Sequence, residues 1–370
     1  MARAVGEFMQ AELARSLIEA AILAPSGGNN QPWEFYVEGG ALYVVNDRSR
    51  ASSPTLDVGE RATYAALGAA VENIVVAAAG AGRSARVQWL PVAENPLIAA
   101  RIVIEDSPPS VEDAALSPYI EARLTNRQPG RQAPLTADQV AALTAAASAR
   151  GGQLHLCSEP ARLHEIGEIL GIGDGVRMFT AALHAEMMSE LRWDPRETET
   201  TRDGIDIATL ELSGAQRGMI RMMRRFGVAR FMGKLGAGKA LIAGARQALT
   251  ASSAFAVITI PGHSLTDYLQ GGRAMERVWL TATSLGLAFQ PMAALAYLLM
   301  RVRFFAGQGV APEVARTLNT LLQRMDRVFP EMDPGHGHVL YFRLANAAPA
   351  SLRSLRRPVE AVLRAGKPPV

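Results

Sequence analysis

The sequence predicts an α+β fold in which two units of similar layout are fused in one chain. Short runs of strand-like apolar residues alternate with longer runs that have helical spacing. Hydrophobic residues make up 49% of the 370 residues, which is enough for a large core. The order helix, turn, strand at residues 11–45 returns after residue 118, which indicates an internal duplication.

The first unit is predicted to occupy residues 1–117. It opens with a helix over 11–23, and a strand hairpin closed by Gly39 and Gly40 follows. The Ala-rich run 61–82 predicts a helix that is buried on most sides, with two strands after it. Residues 106–118 contain three prolines and are the best candidate for a linker.

The second unit is predicted over residues 118–370. Thr136 is expected to cap a helix, a strand follows, and residues 161–193 and 213–250 are predicted to be helical. After a buried strand at 253–260, a long apolar helix is expected to start with GGRA at 271–274. It parallels the helix of the first unit, because each starts with Gly and then Arg. A lid-like insertion is expected around residues 195–250.

Charge and composition narrow the class of protein. The net charge of +3 and the absence of a long basic block give no reason to expect a nucleic acid partner. The single cysteine, Cys157, excludes an internal disulfide and fits a reducing compartment. Charges at helical spacing near the N-terminus differ from the apolar core of a signal peptide, so the expected location is the cytoplasm.

One stretch has the length of a membrane span. Residues 278–300 carry no charge. Gly286 and Pro291 interrupt the stretch, and four polar side chains reduce its hydropathy. We therefore expect a buried helix that ends near residue 287, followed by a core strand or turn, and no membrane partner for this stretch.

Residues 24–33, APSGGNNQPW, form a dense polar turn between a helix and a strand. Two glycines expose backbone N–H groups, and Ser, Asn and Gln side chains add hydrogen-bonding groups. Such a turn can hold a polar heterocycle or a sugar phosphate. A helix C-cap followed by a proline-constrained strand is the alternative interpretation.

This turn resembles the A-P-S-x-x-N-x-Q-P-W-x-F turn of the nitroreductase superfamily of FMN proteins. The resemblance implies an FMN site in which Ser26, Asn29 and Gln31 border the flavin. A second family motif, R-x-S-x-R, is absent from the N-terminus, where MARAVGEFMQ stands.

The segment RLTNR at 123–127 resembles this second motif. Arg123, Thr125 and Arg127 alternate in an extended segment and therefore point to one side, where two guanidinium groups suit a phosphate. By the resemblance these three residues hold the FMN phosphate and ribityl chain. A solvated basic turn is the alternative.

Two further family positions can be carried over to this chain. Gln290, Pro291 and Met292 in LGLAFQPMAAL occupy the segment whose backbone N–H groups reach the flavin near N5 in the family, although alanines replace the acid and glycine that usually follow. Arg356 and Arg357 in SLRSLRRPVE stand where the family often adds a basic contact to the phosphate. A solvated tail is the alternative for these two arginines.

The layout as a whole is similar to the Acg-like fused twin nitroreductase-domain proteins of actinobacteria. The resemblance implies that two nitroreductase-like, FMN-dependent units form an internal pseudo-dimer with one complete flavin site. Such a chain can be a monomer in solution. The expected activity is hydride transfer at flavin N5 to a small conjugated, nitro-aromatic or biosynthetic substrate, with NAD(P)H as a candidate reductant. The alternative is a protein that stores or sequesters FMN under a closed lid without turnover.

Residues 214–247 carry eight Lys or Arg and no acid. We interpret them as part of the lid, and a basic amphipathic helix on a membrane surface is the competing interpretation. The GKLGAGKA run at 233–240 lacks the hydroxyl and the preceding strand of a nucleotide-hydrolysing loop. HGH at 336–338 is more simply a turn into a strand than a metal site, so no metal is expected.

Overall fold

The computed structural model describes residues 2–51 and 55–369, with side chains from residue 11 onward in those ranges. Met1, residues 52–54 and Val370 of the two predicted units lie outside the described residues. Up to residue 122 the helices and strands are α1 (Ala2–Ala21), β1 (Trp33–Glu38), β2 (Ala41–Asn46), α2 (Arg61–Gly80), β3 (Ser84–Trp89), β4 (Ile98–Glu105), α3 (Val111–Leu116) and α4 (Tyr119–Ala122).

The rest of the chain holds longer helices and a second set of strands. In order, these are β5 (Gly130–Arg131), α5 (Ala137–Ser148), β6 (Gln153–Cys157), α6 (Pro160–Phe179), α7 (Ala181–Glu190), β7 (Leu191–Arg192), α8 (Pro195–Thr201), β8 (Ile205–Asp206), α9 (Gly214–Met222), α10 (Phe226–Lys234), α11 (Ala237–Thr250), β9 (Ala254–Ile260), α12 (Leu265–Ser284), β10 (Ala288–Pro291), α13 (Ala293–Phe304), α14 (Pro312–Val328), β11 (Gly337–Ala347) and β12 (Leu363–Arg364).

The strands form two main sheets. The first has the order β12-β1-β2-β4-β3, and the second has the order β10-β11-β9-β6, with β5 beside the end of β11. Strand β12, at the C-terminal end of the chain, pairs in parallel with β1, so the last segment of the chain crosses back to the first sheet. The predicted mixture of helices and sheets is therefore confirmed, and the hairpin between β1 and β2 turns at Gly39 and Gly40 as expected.

The predicted linker is only partly irregular. Within residues 106–118 the chain forms α3, whose N-terminus is capped by Ser110, because its hydroxyl accepts a hydrogen bond from the Asp113 backbone N–H. Asp113 is buried and forms ion pairs with Arg150 and Arg277. The prolines suggested a linker, but an N-cap serine and buried charges fix the segment against its neighbours.

Helices α2 and α12 pack against each other at the centre of the molecule. A side chain at Gly68 would overlap the backbone carbonyl of Leu269, and a side chain at Gly272 would overlap the backbone carbonyl of Ala65. The absence of a side chain at these two positions lets the helix backbones approach closely. The contact is reciprocal, since each helix contributes one glycine and one carbonyl.

Helix α12 begins before the predicted GGRA start. Ser264 and Asp267 form a capping box, in which the Ser264 hydroxyl accepts from the Asp267 N–H and the Asp267 carboxylate accepts from the Ser264 N–H. Residues 271–274 therefore lie inside the helix. Gly272 serves the packing against α2, Gly271 lies against Val339 and Ile260, and neither marks a helix start.

The uncharged stretch 278–300 is divided between the end of α12, strand β10 and most of α13, as the interrupting Gly286 and Pro291 predict. Among the described residues, one helical segment, Val58–Gly80, has the length and apolar character of a membrane span. In the fold, 94% of its apolar window is buried. A central core helix satisfies the same criteria, and α2 occupies that place.

Asp57 holds the first turn of α2. Its carboxylate accepts hydrogen bonds from the backbone N–H groups of Ala62 and Thr63 at 2.7 and 2.9 Å. Replacement by alanine leaves these donors without an acceptor, so we expect Asp57→Ala to lower the free energy of unfolding by about 1 to 2 kcal/mol. Urea unfolding of this variant and of Asp138→Ala, at an exposed site in α5, checks the prediction. An equal change in both would contradict it.

Candidate functional site

A cavity of about 460 Å³ lies between the turn at 25–29, the segment 123–127, the start of α13 and the segment 352–356. Its size is within the range of small-molecule and cofactor sites. Nine of the eleven side chains predicted from the sequence line it, and they are Ser26, Asn29, Arg123, Thr125, Arg127, Gln290, Pro291, Met292 and Arg356. The remaining two, Gln31 and Arg357, do not line it.

The turn at one wall is a strained structure held by its own side chains. Gly28, Asn29 and Gln31 have φ angles of 58°, 57° and 55°. Positive φ is costly for the two residues that are not glycine, and such strain is concentrated at functional sites. The Ser26 hydroxyl accepts a hydrogen bond from the Gln31 N–H at 2.9 Å. Ser26 therefore stabilises the turn in addition to lining the cavity.

Asn29 links the turn to two distant segments. Its Nδ2 donates to the backbone carbonyls of Gly204 at 2.9 Å and Leu355 at 3.1 Å. Its Oδ1 is buried and has no hydrogen-bond partner among the described residues. An unpartnered carbonyl oxygen at a cavity wall is a place for a ligand donor.

Gln31 and Arg357 support the cavity from outside. The Gln31 side chain is fully buried; its Nε2 donates to the Arg202 carbonyl and its Oε1 accepts from the Arg357 N–H, each at 2.8 Å. The Arg357 guanidinium donates to the Ala361 carbonyl. Gln31 is thus satisfied within the protein, and Arg357 is held at Ala361 while its Nη1 has no hydrogen-bond partner among the described residues; neither side chain lines the cavity.

Buried positive charge is concentrated at one end of the cavity. Arg123 is buried, Arg356 is half-buried, and Glu276 lies 2.9 Å from Arg123. Desolvation, together with the neighbouring guanidinium groups of Arg123 and Arg353, lowers the pKa of Arg356 to about 9. Arg353 also lines this end. Arg123 and Arg356 therefore share one close carboxylate, Glu276, and an anion would compensate the excess charge.

Arg127 adds a fourth guanidinium to the cavity wall. Its Nη1 donates to the Thr209 carbonyl at 3.0 Å. Burial lowers its pKa to about 10, which still leaves it charged at neutral pH. Thr125, between the two arginines of the motif, also lines the cavity. The RLTNR segment is thus part of the cavity wall and is not a solvated turn.

Aromatic side chains support the cationic end. The guanidinium carbon of Arg123 lies 4.5 Å from the centre of the Trp279 ring, and Trp279 stacks on Phe289 at 4.3 Å. The face of an indole ring attracts a cation. The stack therefore fixes the plane of Arg123 where its N–H groups meet the cavity.

Another part of the cavity wall is formed by β10 and the start of α13. The Gln290 Oε1 accepts from Arg343 at 2.6 Å, which fixes its carboxamide. The Met292 backbone N–H donates to the Tyr341 carbonyl at 2.6 Å, so it is occupied within the protein. The first-turn residues of α13, Ala293 and Ala294, line the cavity instead, and N–H groups at this helix position have no partner in their own helix.

Sequence reasoning missed several residues of the cavity wall. Asp174 and Arg177 come from α6, and Glu190 comes from the end of α7. The Arg177 guanidinium donates to the Glu190 carboxylate at 2.6 Å, and Glu190 covers Gly28 closely. No sequence motif marks the pair of Arg177 and Glu190, because both residues lie in ordinary helical segments. Arg353 was within reach of sequence reasoning, because it precedes Arg356 in the same quoted segment.

Asp174 gives the cavity a pH-dependent charge. Asp174 is exposed at the cavity wall, and desolvation by the surrounding protein raises the pKa of its carboxyl from 3.8 to about 6, with partial compensation by Arg177. The folded state therefore keeps this proton to a higher pH than the unfolded chain, and ionisation penalises folding as the pH rises through this window. We expect Asp174→Asn to raise the thermal unfolding midpoint more at about pH 8 than at about pH 5.

Differential scanning fluorimetry at the two pH values measures this effect. The matched control is Asp138→Asn on the exposed face of α5. A change at Asp174 that is the same at both pH values would contradict the assigned ionisation.

The segment predicted as a lid is only partly at the cavity. Ile205, Thr209 and Leu210 line it, whereas no residue of α9, α10 or α11 does so. Helix α11 packs on α6, where Gly167 and Gly171 admit its backbone. Among the described residues, no group of three or more His, Cys, Asp or Glu side chains could hold a metal ion.

Comparison with known proteins gives mycobacterial relatives. No family model matches the chain. An uncharacterised Mycobacterium tuberculosis protein, MT1398, is 35% identical over 342 residues, which cover 92% of this chain and 46% of that protein. A candidate NAD(P)H nitroreductase of the same species, Rv3131, is 32% identical over 39% of this chain and 42% of its own length.

A third relative, the M. tuberculosis protein Acg, carries the same candidate nitroreductase name. It is 26% identical over 59% of this chain and 63% of its own length. The chain thus spans about half the length of the curated relatives it matches. Among solved structures, the FMN-dependent nitroreductase NfnB of Mycobacterium smegmatis covers 69% of this chain with 13% identity and a TM-score of 0.41. By sequence, the chain is similar to mycobacterial proteins that are named as NAD(P)H nitroreductases, Acg and Rv3131 among them.

Proposed function

We propose that the protein is an FMN-dependent oxidoreductase of the nitroreductase type, located in the cytoplasm. The observation that carries this proposal is the cavity in which Arg123, Arg127 and Arg356 meet the strained turn at 25–29. Relatives named as NAD(P)H nitroreductases support the same class of activity. The proposed substrate is a small conjugated or nitro-aromatic molecule, and NAD(P)H is the proposed reductant.

The cationic end would hold the FMN phosphate. Arg123 and Arg356 have one close carboxylate, Glu276, and a phosphate dianion would balance the remaining charge together with that of the exposed Arg353. Burial makes each charge-assisted hydrogen bond stronger than it would be in water. Arg127 and Thr125 extend this surface along the RLTNR segment and would bind the phosphate or the ribityl hydroxyls.

The turn at 25–29, β10 and the start of α13 would border the flavin ring. The unpartnered Oδ1 of Asn29 can accept a hydrogen bond from the ring, and the first-turn N–H groups of α13 can donate one. Pro291 has no N–H and that of Met292 is occupied, so we assign the donor to Ala293 or Ala294 and not to the segment 290–292. The Gln290 carboxamide, fixed by Arg343, would orient a neighbouring polar atom.

When bound, FMN supplies hydride chemistry at its N5 atom, and the protein supplies binding, orientation and electrostatics. The arginines bind the anionic tail, whereas the apolar wall, which includes Leu170 and Leu295, excludes water. Asp174 is the one cavity carboxyl with a pKa of about 6, and it can exchange a proton near neutral pH.

We further propose that the two halves are a duplicated unit and that one flavin site survives. The same sequence offset relates Gly68 to Gly272, Ala65 to Leu269 and Glu72 to Glu276, which fits the reciprocal contact between α2 and α12. Glu72 is fully buried, as Glu276 is. An internal pseudo-dimer of this kind is compatible with a monomer in solution.

The environment of Glu72 supports the loss of the second site. Its carboxylate pairs with Arg150, Arg273 and Arg277 at 2.9, 2.6 and 3.2 Å, and these arginines lower its pKa against the effect of burial. Asp113 adds a second carboxylate to this cluster. At Glu72, two carboxylates therefore face three arginines and the pKa of Glu72 is lowered, whereas the pKa of Glu276 is raised to about 7 beside Arg123, so less of the positive charge there is compensated by the protein.

The visible absorption spectrum of the purified protein tests the proposal. We expect a flavin spectrum and release of FMN on heating, at about one per chain. A colourless protein that takes up no added FMN would contradict the proposed cofactor. If FMN is bound, bleaching of the flavin spectrum by NADH or NADPH under anaerobic conditions separates an enzyme from a protein that only stores FMN.

A further inference from the structure

Helices α9 and α10, with the first turn of α11, present a strongly basic surface. Seven side chains are exposed, and they are Arg217, Arg221, Arg224, Arg225, Arg230, Lys234 and Lys239. In the part of the chain that the structure describes, none of the seven forms a salt bridge with a carboxylate. No acidic residue occurs between positions 212 and 250. We call this region the basic surface.

Large apolar side chains project from the same two helices. Met219 and Met222 of α9 are 43% and 50% exposed, and Phe231 and Leu235 at the end of α10 are 58% and 66% exposed. Half of the large hydrophobic side chains that are exposed in the described structure lie in these 17 residues. Clustered exposure of this kind marks an interaction site, whereas isolated exposed residues do not.

The opposite side of these helices is anchored in the protein. Met223 and Ala229 are buried in a cluster with Met178, Met188 and Leu191. Neither helix contributes to the cavity wall. The exposed methionines, Phe231 and Leu235 therefore serve neither the local core nor the proposed flavin site.

We propose that the basic surface binds the anionic headgroups of a membrane, with Met219, Met222, Phe231 and Leu235 inserted at the boundary between headgroups and acyl chains. An amphipathic helix with Lys and Arg on its polar side and large apolar residues beside them binds in this manner. Each basic residue near the membrane adds to the attraction of anionic lipids, and the apolar side chains add burial. This interaction is independent of the proposed function in the cavity.

Charge and side-chain chemistry favour this partner over the other candidates. A second copy of the chain would bring two sets of seven cations together, and like charges oppose such a dimer. A nucleic acid would use the cations and one ring, Phe231, but Met219, Met222 and Leu235 are aliphatic and offer no planar ring for base stacking. A lipid interface uses both the cations and the aliphatic groups.

Flotation of the full FMN-loaded chain with vesicles tests the proposal. We expect it to float with vesicles that contain phosphatidylglycerol, to stay unbound with phosphatidylcholine alone, and to be released at about 1 M salt, where the Debye length is about 3 Å. Replacing Arg217, Arg221 and Arg230 by Gln should weaken the partition coefficient about 100-fold. Phe231→Ser combined with Leu235→Ser should weaken it about 10-fold.

Matched controls separate the surface from general effects. Val111→Ser with Val140→Ser removes exposed apolar side chains elsewhere, and Arg86→Gln with Arg316→Gln removes exposed cations elsewhere. These controls should leave flotation unchanged, and all variants should keep the native unfolding midpoint. The proposal would be overturned if the native chain did not float with anionic vesicles or floated equally with neutral ones. It would also be overturned if the control variants lost flotation as much as the surface variants, or if the chain retained duplex DNA without binding vesicles.

Discussion

Replacement of Arg123 and Arg127 together by alanine is expected to weaken FMN binding by about 100-fold or more, because each lost charge-assisted hydrogen bond costs about 1.5 to 3 kcal/mol. Both guanidinium groups line the cavity, and both lie in an environment from which water is largely removed. FMN titration monitored by flavin fluorescence measures the change. Arg86→Ala, at an exposed arginine paired with Glu105, is the matched control and should bind FMN as the native chain does.

The double variant also leaves the Glu276 carboxylate without its nearest cation. Burial raises the pKa of this carboxyl to about 7 even with Arg123 beside it. A loss of flavin could therefore follow from a perturbed core. Adding Glu276→Gln to the double variant removes the unpaired charge, so it should restore the unfolding midpoint but not FMN affinity. Full FMN occupancy in either variant would contradict the assigned phosphate site.

Local elements were predicted well where the signal lies in adjacent residues. The Thr136 hydroxyl and the Gln139 side chain form the capping box that starts α5, and the glycine pair at 39 and 40 closes the first hairpin. The turn at 25–29 and the RLTNR segment also lie at one cavity. In each case the side chains that determine the structure are within a few positions of each other.

Features that depend on distant partners could not be predicted. The pairing of Arg123 with Glu276 joins residues far apart in sequence, and the ion pairs of Glu72 are visible only once α2 and α12 are packed. The sequence analysis assigned the flavin-facing N–H groups to residues 290–292. In the structure the Met292 N–H is bonded to the Tyr341 carbonyl of β11, so the proposed donors move to the first turn of α13. Hydrogen-bond competition of this type depends on tertiary structure, and a motif alone does not include it.

The reciprocal glycine contact is expected to produce the largest effect on stability. In Gly68→Ala a methyl group would overlap the Leu269 carbonyl, and in Gly272→Ala it would overlap the Ala65 carbonyl. The overlapped atoms are backbone atoms of a helix and cannot rotate away, so two core helices must separate. We expect each variant to lose about 3 kcal/mol or more of unfolding free energy, above the usual cost of overpacking.

Gly218→Ala on α9 is the matched control, because a side chain there meets no atom within 4 Å. Removing a glycine from an exposed helix should stabilise it by about 0.5 to 1 kcal/mol, so the control and the core variants should move in opposite directions in urea unfolding. The double variant Gly68→Ala/Gly272→Ala should lose less than the sum of the single variants, since one separation of the helices relieves both overlaps. If the single variants kept the native unfolding free energy, α2 and α12 would lie further apart than described. Their contact would then no longer support the proposed duplication.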